Sequence, residues 1–469
     1  MNGVIICEQK YRIRHGIPGS ELKLLRREGW NDMGHDASTW QVTIAVIVFL
    51  VTYAIIISEK INRAIIALLG AVAMLVLQIV DVHRAFTEHI EWNTIFLLVG
   101  MMILVGITNK SGIFQYAAVK AAQRTKGRPI RILVILATLT AVGSAFLDNV
   151  TTVLLVVPIT FSITRMLSIN PVPFLITEVI ASNVGGTATL IGDPPNIMIG
   201  SANPHLTFNM FLIYLAPVIA VIMAVLLAVL VFIYRKQLKV TDSQRQALME
   251  LSAESYISDK GLVRKSVTIL VLTILGFMLH SAIHVEPAVI AMAGATLLML
   301  IGLKGEEELE EALHRVEWIT ILFFIGLFIL VGGLIEVGVI NQLAQWMLSV
   351  TSGDMTRTAM FVLWGSGIAS ATIDNIPFVA TMIPLLQDVG TQMGITDPNQ
   401  LNPLWWSLAL GACLGGNGTL IGASANVIVA GMAQREGRGF GYMDFLKIGA
   451  PLTLLSLAIS TVYIFLFIL

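Results

Sequence analysis

Residues 144–160, SAFLDNVTTVLLVVPIT, return in diverged form as SATIDNIPFVATMIPLL at residues 370–386. The stretch before them, EWNTIFLLVGMMILVG at 91–106, also returns, as EWITILFFIGLFILVG at 317–332. Both pairs are separated by the same 226 residues. Ordered matches of this length predict a chain built from two diverged copies of one structural unit.

A third repeated stretch is rich in glycine. It reads NVGGTATLIGDPPNIMIG at 183–200 and CLGGNGTLIGASANVIVA at 413–430. Paired glycines interrupt a helix, and a membrane protein tolerates the freed backbone groups where they line a buried cavity. Close packing between helices is the alternative explanation for a glycine pair in one copy alone. Repetition of the glycines beside the Asp-Asn stretches favours a binding site.

The composition is typical of a membrane protein. Hydrophobic residues make up 56% of the chain and charged residues 13%, and the mean hydropathy is +0.82. Apolar runs at 39–57, 210–234 and 451–469 approach or exceed the roughly 20 residues that a helix needs to cross a bilayer. We therefore predict an all-α polytopic membrane protein. Neither nucleic-acid binding nor a metal site is indicated, because the two cysteines and eight histidines show no ligand spacing.

The predicted chain organisation follows from the repeats. Residues 1–40 form a tail, 41–234 the first copy, 235–265 a cytoplasmic linker and 266–469 the second copy. Each copy is expected to hold five transmembrane helices and one re-entrant hairpin that turns at Asp-Asn. An odd number of crossings makes the copies inverted repeats. The predicted crossings lie near 41–58, 62–80, 92–108, 174–200, 211–234, 266–283, 286–303, 318–336, 403–430 and 447–469.

The basic residues predict the orientation in the membrane. Of 29 Lys and Arg residues, 21 lie on one side of this map, six lie in the tail, and Arg84 and Arg357 lie on the other side. The rich side is cytoplasmic by the positive-inside rule, so both termini should face outward from the cytoplasmic membrane. The hairpin at Asp148 then opens from the cytoplasm and that at Asp374 from outside, and their tips should meet near the midplane.

The first 32 residues are polar and basic, and no signal peptide fits them. We expect a disordered tail or a start codon placed too far upstream, with Met33 the true initiator. A tail that binds anionic lipid is the alternative. Two further stretches, 113–123 and 305–315, should form amphipathic helices at the membrane surface.

Asp148 and Asp374 are the strongest candidates for ion or proton coupling. A carboxylate at mid-membrane is costly by about 2.5–3.5 kcal/mol, so each should face a polar cavity and have a partner. Capping of the second hairpin arm is the structural alternative, and both roles can coexist. The neighbouring Asn149 and Asn375, with Thr151, are candidate solute-binding residues.

The broken helices supply the remaining candidates for solute binding. Small residues there leave backbone amides and carbonyls free to meet an anion, an oxygen-rich solute or Na⁺. These candidates are Asn183, Gly185, Gly186 and Thr187 in the first copy and Gly415, Gly416, Asn417 and Thr419 in the second.

Two acidic residues occur in one copy only and are candidates for proton coupling. Glu178 is matched by Leu408, and Asp193 by Ala423. An unmatched carboxylate could exchange a proton while the repeated site binds solute. A structural hydrogen bond is the alternative for Glu178, and a turn-forming Gly-Asp-Pro-Pro run is the alternative for Asp193, which ranks lower. Glu317, placed before a tryptophan, predicts interfacial anchoring.

At these motifs the chain resembles the ion transporter superfamily, most closely the branch with the ArsB arsenite permeases, the NhaD sodium/proton antiporters and the melanosomal P protein. The resemblance rests on LDNVTTVLLVVPIT, ASNVGGTATLIGDPPNIMIG, TIDNIPFVATMIPLL and GGNGTLIGASANVIVAG. It implies a scaffold domain, a transport domain with two re-entrant hairpins, elevator-like alternating access, and a homodimer. Dicarboxylate members carry Ser-Asn-Thr at the hairpin tips, and the aspartates found here disfavour a dicarboxylate.

Several functions fit this sequence. The favoured one is proton-coupled export of arsenite or antimonite, and Na⁺/H⁺ antiport is the alternative. An anion or dicarboxylate transporter and an intramembrane aspartyl protease fit less well. The sequence contains no nucleotide-binding motif, so a primary pump would need a separate ATPase subunit. The expected partners are therefore a small inorganic solute, membrane lipid and a second copy of the chain, with H⁺ or Na⁺ as coupling ion and no cofactor.

Overall fold

The computed structural model describes residues 38–58, 60–238 and 240–469. The expectations for residues 1–37 lie outside this part of the chain. Within it every regular element is a helix, and seven helices are long and apolar enough to cross a membrane. The prediction of an all-α polytopic membrane protein is confirmed.

From residue 38 onward, the first half of the described chain contains ten helices of seven or more residues. They are α1 Thr39–Ser58, α2 Arg63–Val76, α3 Trp92–Lys110, α4 Ile113–Arg124, α5 Pro129–Ser144, α6 Asn149–Met166, α7 Val172–Gly186, α8 Pro194–Ala202, α9 Phe208–Tyr214 and α10 Ala216–Tyr234. A short helix at Val82–Arg84 and a π-helical turn at Ala85–His89 lie between α2 and α3.

The second half repeats this order after a helical linker. Its helices are α11 Asp242–Met249, α12 Lys260–Ile283, α13 Pro287–Gly302, α14 Glu306–His314, α15 Trp318–Glu336, α16 Val339–Thr351, α17 Met355–Thr372, α18 Asn375–Gln392, α19 Asn402–Gly415, α20 Ser424–Arg435 and α21 Tyr442–Phe467. Single 3₁₀ turns lie at Ala253–Tyr256 and Pro398–Leu401. The α16 helix occupies the place that α4 occupies in the first half, and it has no counterpart among the predicted segments.

The hairpins α5–α6 and α17–α18 turn at the two Asp-Asn pairs. Pro129 begins α5, where a missing backbone N–H is tolerated, and the helix ends 16 residues later. Sixteen residues extend about 24 Å, which is shorter than the ~30 Å hydrocarbon thickness of a bilayer. The other arm, α6, has 18 residues and is one of the seven helices long and apolar enough to cross a membrane, so the re-entrant hairpins and the inverted orientation of the halves stay predictions.

Glycine contacts divide the helices into two packed groups. A Cβ on Gly100 in α3 would lie 2.7 Å from the Ala291 backbone in α13, and one on Gly326 in α15 would lie 2.7 Å from the Ala67 backbone in α2. These close contacts hold together what we call the through-helix group, which contains α1, α2, α3, α12, α13 and α15.

Matching glycines pack the second set of helices, which we call the hairpin group and which contains α5–α8 and α17–α20. A Cβ on Gly185 in α7 would lie 2.1 Å from the Ala141 oxygen in α5, and one on Gly415 in α19 would lie 2.5 Å from the Gly367 oxygen in α17. The same backbone approach therefore occurs at corresponding positions of the two halves. Movement of the hairpin group as a transport domain against a scaffold stays a prediction.

The predicted linker, residues 235–265, is mostly helical and packs against α4. The Gln123 side chain in α4 donates hydrogen bonds to the Leu248 oxygen at 3.2 Å and the Leu251 oxygen at 2.6 Å. Lys120 lies 2.9 Å from Glu254, and the hydrogen bond to this ammonium lowers the pKa of the Glu254 carboxyl. The second-half helix α12 begins at Lys260, inside the predicted linker rather than at residue 266.

The acidic stretch expected at 305–315 forms α14 at one end of the molecule. Its Glu311 carboxylate lies 2.6 Å from the Lys110 ammonium, at the end of α3. This hydrogen bond lowers the pKa of the Glu311 carboxyl. The helix α14 is thereby fixed to the through-helix group at the side that carries most of the basic residues.

Candidate functional site

The first hairpin tip is formed by Asp148 at the start of α6. Its Oδ1 accepts the Thr151 backbone N–H at 2.8 Å, and its Oδ2 accepts the Thr151 hydroxyl at 2.5 Å. The Asp148 backbone has φ +76°, a conformation that side-chain-bearing residues seldom adopt. Asp148 therefore caps α6 and is half-buried at a strained turn.

The second hairpin tip is formed by Asp374, and its contacts differ. Asp374 Oδ1 caps α18 by accepting the Ile376 N–H at 3.1 Å. Its Oδ2 lies 2.5 Å from the Arg63 guanidinium and accepts the Ser424 hydroxyl at 3.0 Å. Both aspartates are thus helix caps, but only Asp374 is paired with a cation among the described residues.

The broken helices are held open by a repeated asparagine. Asn196 in α8 donates through Nδ2 to the Thr189 oxygen at 2.9 Å, and Asn426 in α20 donates to the Thr419 oxygen at 2.9 Å. Each amide satisfies a carbonyl that the helix break leaves without its usual partner. Neither residue was predicted as functional, although the repeat aligns them within GDPPNIMIG and GASANVIVA.

Four buried asparagines join the two halves. Asn149 Nδ2 lies 3.1 Å from Asn183 Oδ1. Asn183 in turn donates to Asn417 and Asn426, each at 2.9 Å. Asn149 Nδ2 also lies 3.3 Å from Asp193 Oδ1. The structure therefore brings three of the predicted solute-binding residues and one predicted coupling residue into a single network.

A cavity of about 50 Å³ lies beside this network. Two fully buried side-chain atoms on its wall have no hydrogen-bond partner among the described residues, Asp193 Oδ2 and Asn375 Nδ2. Unpaired buried polar atoms are rare and point to a ligand or water. The polar lining consists of Arg63, Asp148, Asn149, Asp193, Glu317, Thr320, Asn375 and Ser424.

Two charged lining residues were not identified as functional from sequence. Glu317 lies just before the first residue of α15 and lines the cavity. From sequence alone, its position before a tryptophan predicts interfacial anchoring instead. Arg63 comes from the start of α2, and a count of basic residues assigns it to the cytoplasmic surface. Both sit at helix ends, and only the folded chain shows that they line this cavity.

The cavity adjoins a wider vestibule of about 290 Å³. Arg63, Ser424 and Ile428 line both spaces, and Asp374 lines the vestibule. A separate crevice of about 340 Å³, beside His284 and Glu286, shares no lining residue with the cavity. The cavity therefore lies next to a vestibule at the start of α2.

Glu178 lies outside this cavity. It is 1% exposed in α7, and its Oε1 accepts the Thr160 hydroxyl at 2.5 Å. Its Oε2 is buried without a hydrogen-bond partner among the described residues. Asp193, which ranks lower from sequence, is the carboxylate that the structure places within the asparagine network.

The other predicted binding residues have local structural contacts. Gly185 and Gly415 lie at the close helix contacts described above, and Gly186 and Gly416 face Gly192 and Gly422 across the loops of the broken helices. The hydroxyls of Thr187 and Thr419 donate to the backbone oxygens of Asn183 and Ala371. None of these six residues lines the cavity.

Comparison with known proteins places the chain among transporters. A family model described as CitMHS, citrate transporter, matches residues 53–411. An uncharacterized transporter of Mycobacterium tuberculosis is 43% identical over 427 residues, covering 90% of this chain and 98% of that protein. The P protein of Sus scrofa is 36% identical over 90% of this chain and 59% of its own length.

Two solved structures share the fold at low sequence identity. The YdaH transporter of Alcanivorax borkumensis matches 91% of this chain and 98% of its own with a TM-score of 0.56 and 13% identity. MtrF of Neisseria gonorrhoeae matches 91% of this chain and 94% of its own with a TM-score of 0.50 and 12% identity. At these identities the likeness concerns the fold alone.

Proposed function

Because this chain belongs to the CitMHS citrate transporter family of the ion transporter superfamily, we propose that it is a secondary transporter that exchanges protons for a small inorganic cation, with Na⁺ as the first candidate. The observation that carries this proposal is the small cavity that Asp148, Asp193 and Glu317 line together beside the broken helices. Transport uses these carboxylates and the backbone around them.

The charge of the cavity favours a cation. Three carboxylates line it, Asp374 lies at its entrance, and Arg63 is the one basic residue on the wall described. A buried carboxylate is costly unless it is protonated or paired. Protons and a hard cation with oxygen ligands can therefore alternate at this site, which is the basis of exchange.

The family description names citrate, and two features argue against a tricarboxylate here. A multiply charged anion would be repelled by the carboxylates on the wall. The cavity volume of about 50 Å³ is also far below the roughly 300 Å³ at which pockets for organic ligands begin. A small inorganic solute fits both the charge and the size.

Arsenite or antimonite is the second candidate solute, and a different observation favours it. The unpaired Asn375 amide is a hydrogen-bond donor and the unpaired Asp193 oxygen is an acceptor. A neutral hydroxylated metalloid could bond to both atoms. In this version of the function protons on Asp148, Asp374, Asp193 or Glu178 drive export of the neutral solute.

The proposed transport cycle is elevator-like. The hairpin group carries the site across the cytoplasmic membrane against the through-helix group, and the working unit is a homodimer with both termini outside. Binding of a proton or of the transported cation reduces the net negative charge of the site. The loaded site can then pass the apolar middle of the membrane.

Reconstituted protein tests the proposal directly. Vesicles with an acidic interior receive external radioactive Na⁺, arsenite or citrate, and the Asp193→Asn variant serves as the matched inactive control. We expect uptake of Na⁺ that collapses with the pH gradient and is absent in the control. Arsenite uptake without Na⁺ uptake would establish the second candidate, and uptake of citrate alone would overturn both.

A further inference from the structure

Arg63 is attached to the through-helix group but pairs with the hairpin group. It is the first residue of α2, and its guanidinium lies 4.9 Å from the centre of the buried Phe323 ring in α15. Its Nη1 reaches Asp374 at 2.5 Å and Ser424 at 2.7 Å. One side chain therefore spans the boundary between the two groups.

This contact is specific to one half of the chain. The corresponding helix of the second half, α13, begins with Pro287, and the corresponding tip aspartate, Asp148, bonds instead to Thr151 beside it. The Arg63–Asp374 pair also lies where the vestibule meets the cavity. The repeat has therefore acquired a single fixed cation at the entrance of the site.

We propose that the Arg63–Asp374 pair is an interlock that makes exchange obligatory, an inference that rests on the proposed proton/cation exchange. When Asp374 carries neither a proton nor a transported cation, its carboxylate binds Arg63 and holds the hairpin group against the through-helix group. Protonation of Asp374 or binding of a cation removes the charge that Arg63 recognises. The hairpin group is then released to move.

The exposure of the pair suits a reversible lock. The Arg63 side chain is 27% exposed and that of Asp374 is 14% exposed. Water and ions can therefore reach the contact, so its energy is modest compared with that of a fully buried pair. A lock of this kind shifts the balance between two conformations without trapping the protein in one.

The chain offers a matched control for the interlock. Arg84 Nη1 lies 2.5 Å from Glu336, the same separation as in the Arg63–Asp374 pair. Glu336 ends α15, and Arg84 precedes α3, so this pair lies within the through-helix group. Arg84→Gln therefore removes an arginine–carboxylate contact of equal length that does not bridge the two groups.

The first measurement is Na⁺ efflux from loaded vesicles at alkaline pH on both sides, without external Na⁺. Protons and external Na⁺, the ions that could be exchanged for internal Na⁺, are then scarce, so the wild-type protein should lose Na⁺ slowly. We expect Arg63→Gln to leak about tenfold faster, the scale set by one hydrogen bond to a charged group. The Arg84→Gln variant should match the wild type, and equal leak rates in all three proteins would overturn the interlock.

The second measurement does not depend on which solute is carried. Thr372→Cys, on the vestibule wall, is labelled by a membrane-impermeant thiol reagent from each face, in a chain whose native cysteines are replaced. Without Na⁺ at alkaline pH we expect labelling from one face, and from both faces after Arg63→Gln. If the Arg63→Gln variant is labelled from both faces but carries no Na⁺, Na⁺ is rejected as the cargo and the interlock is retained. If the chain is labelled from one face both with and without Arg63→Gln, the interlock is rejected.

Discussion

Asn183 donates from Nδ2 to the side-chain oxygen of Asn417 at 2.9 Å, and this bond joins the two broken helices at the centre of the molecule. Both side chains are 1% exposed. A buried amide network fixes relative positions because every unmet donor or acceptor is costly. The two halves of the site are therefore aligned by a bond between positions that differ in the two copies, because Asn183 is matched by Cys413 and Asn417 by Thr187.

The Asn183 network should be a major determinant of stability. Asn183→Ala leaves Asn417, Asn426 and Asn149 without one partner each, and we expect a loss of about 1–2 kcal/mol. Asn203→Ala is the control, because the Asn203 amide bonds only to the Ile199 oxygen of its own helix. The melting temperatures of both variants are measured in detergent and compared with that of the wild type. Equal melting temperatures for the two variants would show that the network adds nothing.

The close helix contacts predict a second pattern of stability. Gly185→Ala and Gly415→Ala place a methyl group 2.1 Å and 2.5 Å from backbone oxygens of the neighbouring helices. Overpacking of this kind is destabilising by about 1–3 kcal/mol. Gly431→Ala, with nothing within 4 Å of the added Cβ, should leave the melting temperature unchanged or raise it. A similar effect of all three substitutions would contradict the packing described.

Much of the fold can be predicted from the repeats, because hydrophobic length and repeated motifs are local properties of the sequence. The predicted crossing at 174–200 corresponds to α7 and α8, separated by the Gly-rich break. Membership of the ion transporter superfamily, inferred from the motifs, is confirmed by the family match. The α16 helix was missed, although the 226-residue offset from α4 indicates its position.

The linker contact leads to a prediction about the order of residues 235–265. Gly112 has φ +81°, and a Cβ there would lie 1.8 Å from the Tyr256 oxygen; the matching Gly338 has φ +74° with nothing within 4 Å. At either position the positive φ makes alanine unfavourable by about 1–2 kcal/mol. Only Gly112→Ala should also displace the linker and speed its cleavage by trypsin. Identical digestion of the two variants would refute the docking.

Glu178 tests whether a carboxylate outside the cavity contributes to coupling. Glu178→Gln keeps the shape of the side chain and an oxygen that can accept the Thr160 hydroxyl. We expect a folded protein whose exchange rate responds less to pH, because one proton-binding group is lost. Glu436→Gln, at an exposed pair with Arg165, is the control. A pH profile equal to that of the wild type would remove Glu178 from the coupling mechanism.

The site residues that sequence reasoning missed or ranked too low are brought to the site by tertiary packing. Arg63 is indistinguishable by sequence from the other basic residues at helix ends, and its contact with Asp374 spans 311 residues. The ranking of Asp193 below Glu178 has the same cause. A Gly-Asp-Pro-Pro run indicates a turn, but only the folded chain shows that this turn directs the carboxylate toward Asn149.

The most direct test of the account is the initial rate of pH-gradient-driven Na⁺ uptake by Asp148→Asn and Asp374→Asn in proteoliposomes. Asparagine is also a good helix cap, so both variants should fold and unfold at temperatures close to the wild type. The account predicts that uptake by Asp148→Asn falls to the level of protein-free vesicles, and that uptake by Asp374→Asn no longer depends on the pH gradient, because its neutral side chain leaves Arg63 permanently released. Wild-type uptake by both variants at every pH would show that the two aspartates are helix caps without a role in transport.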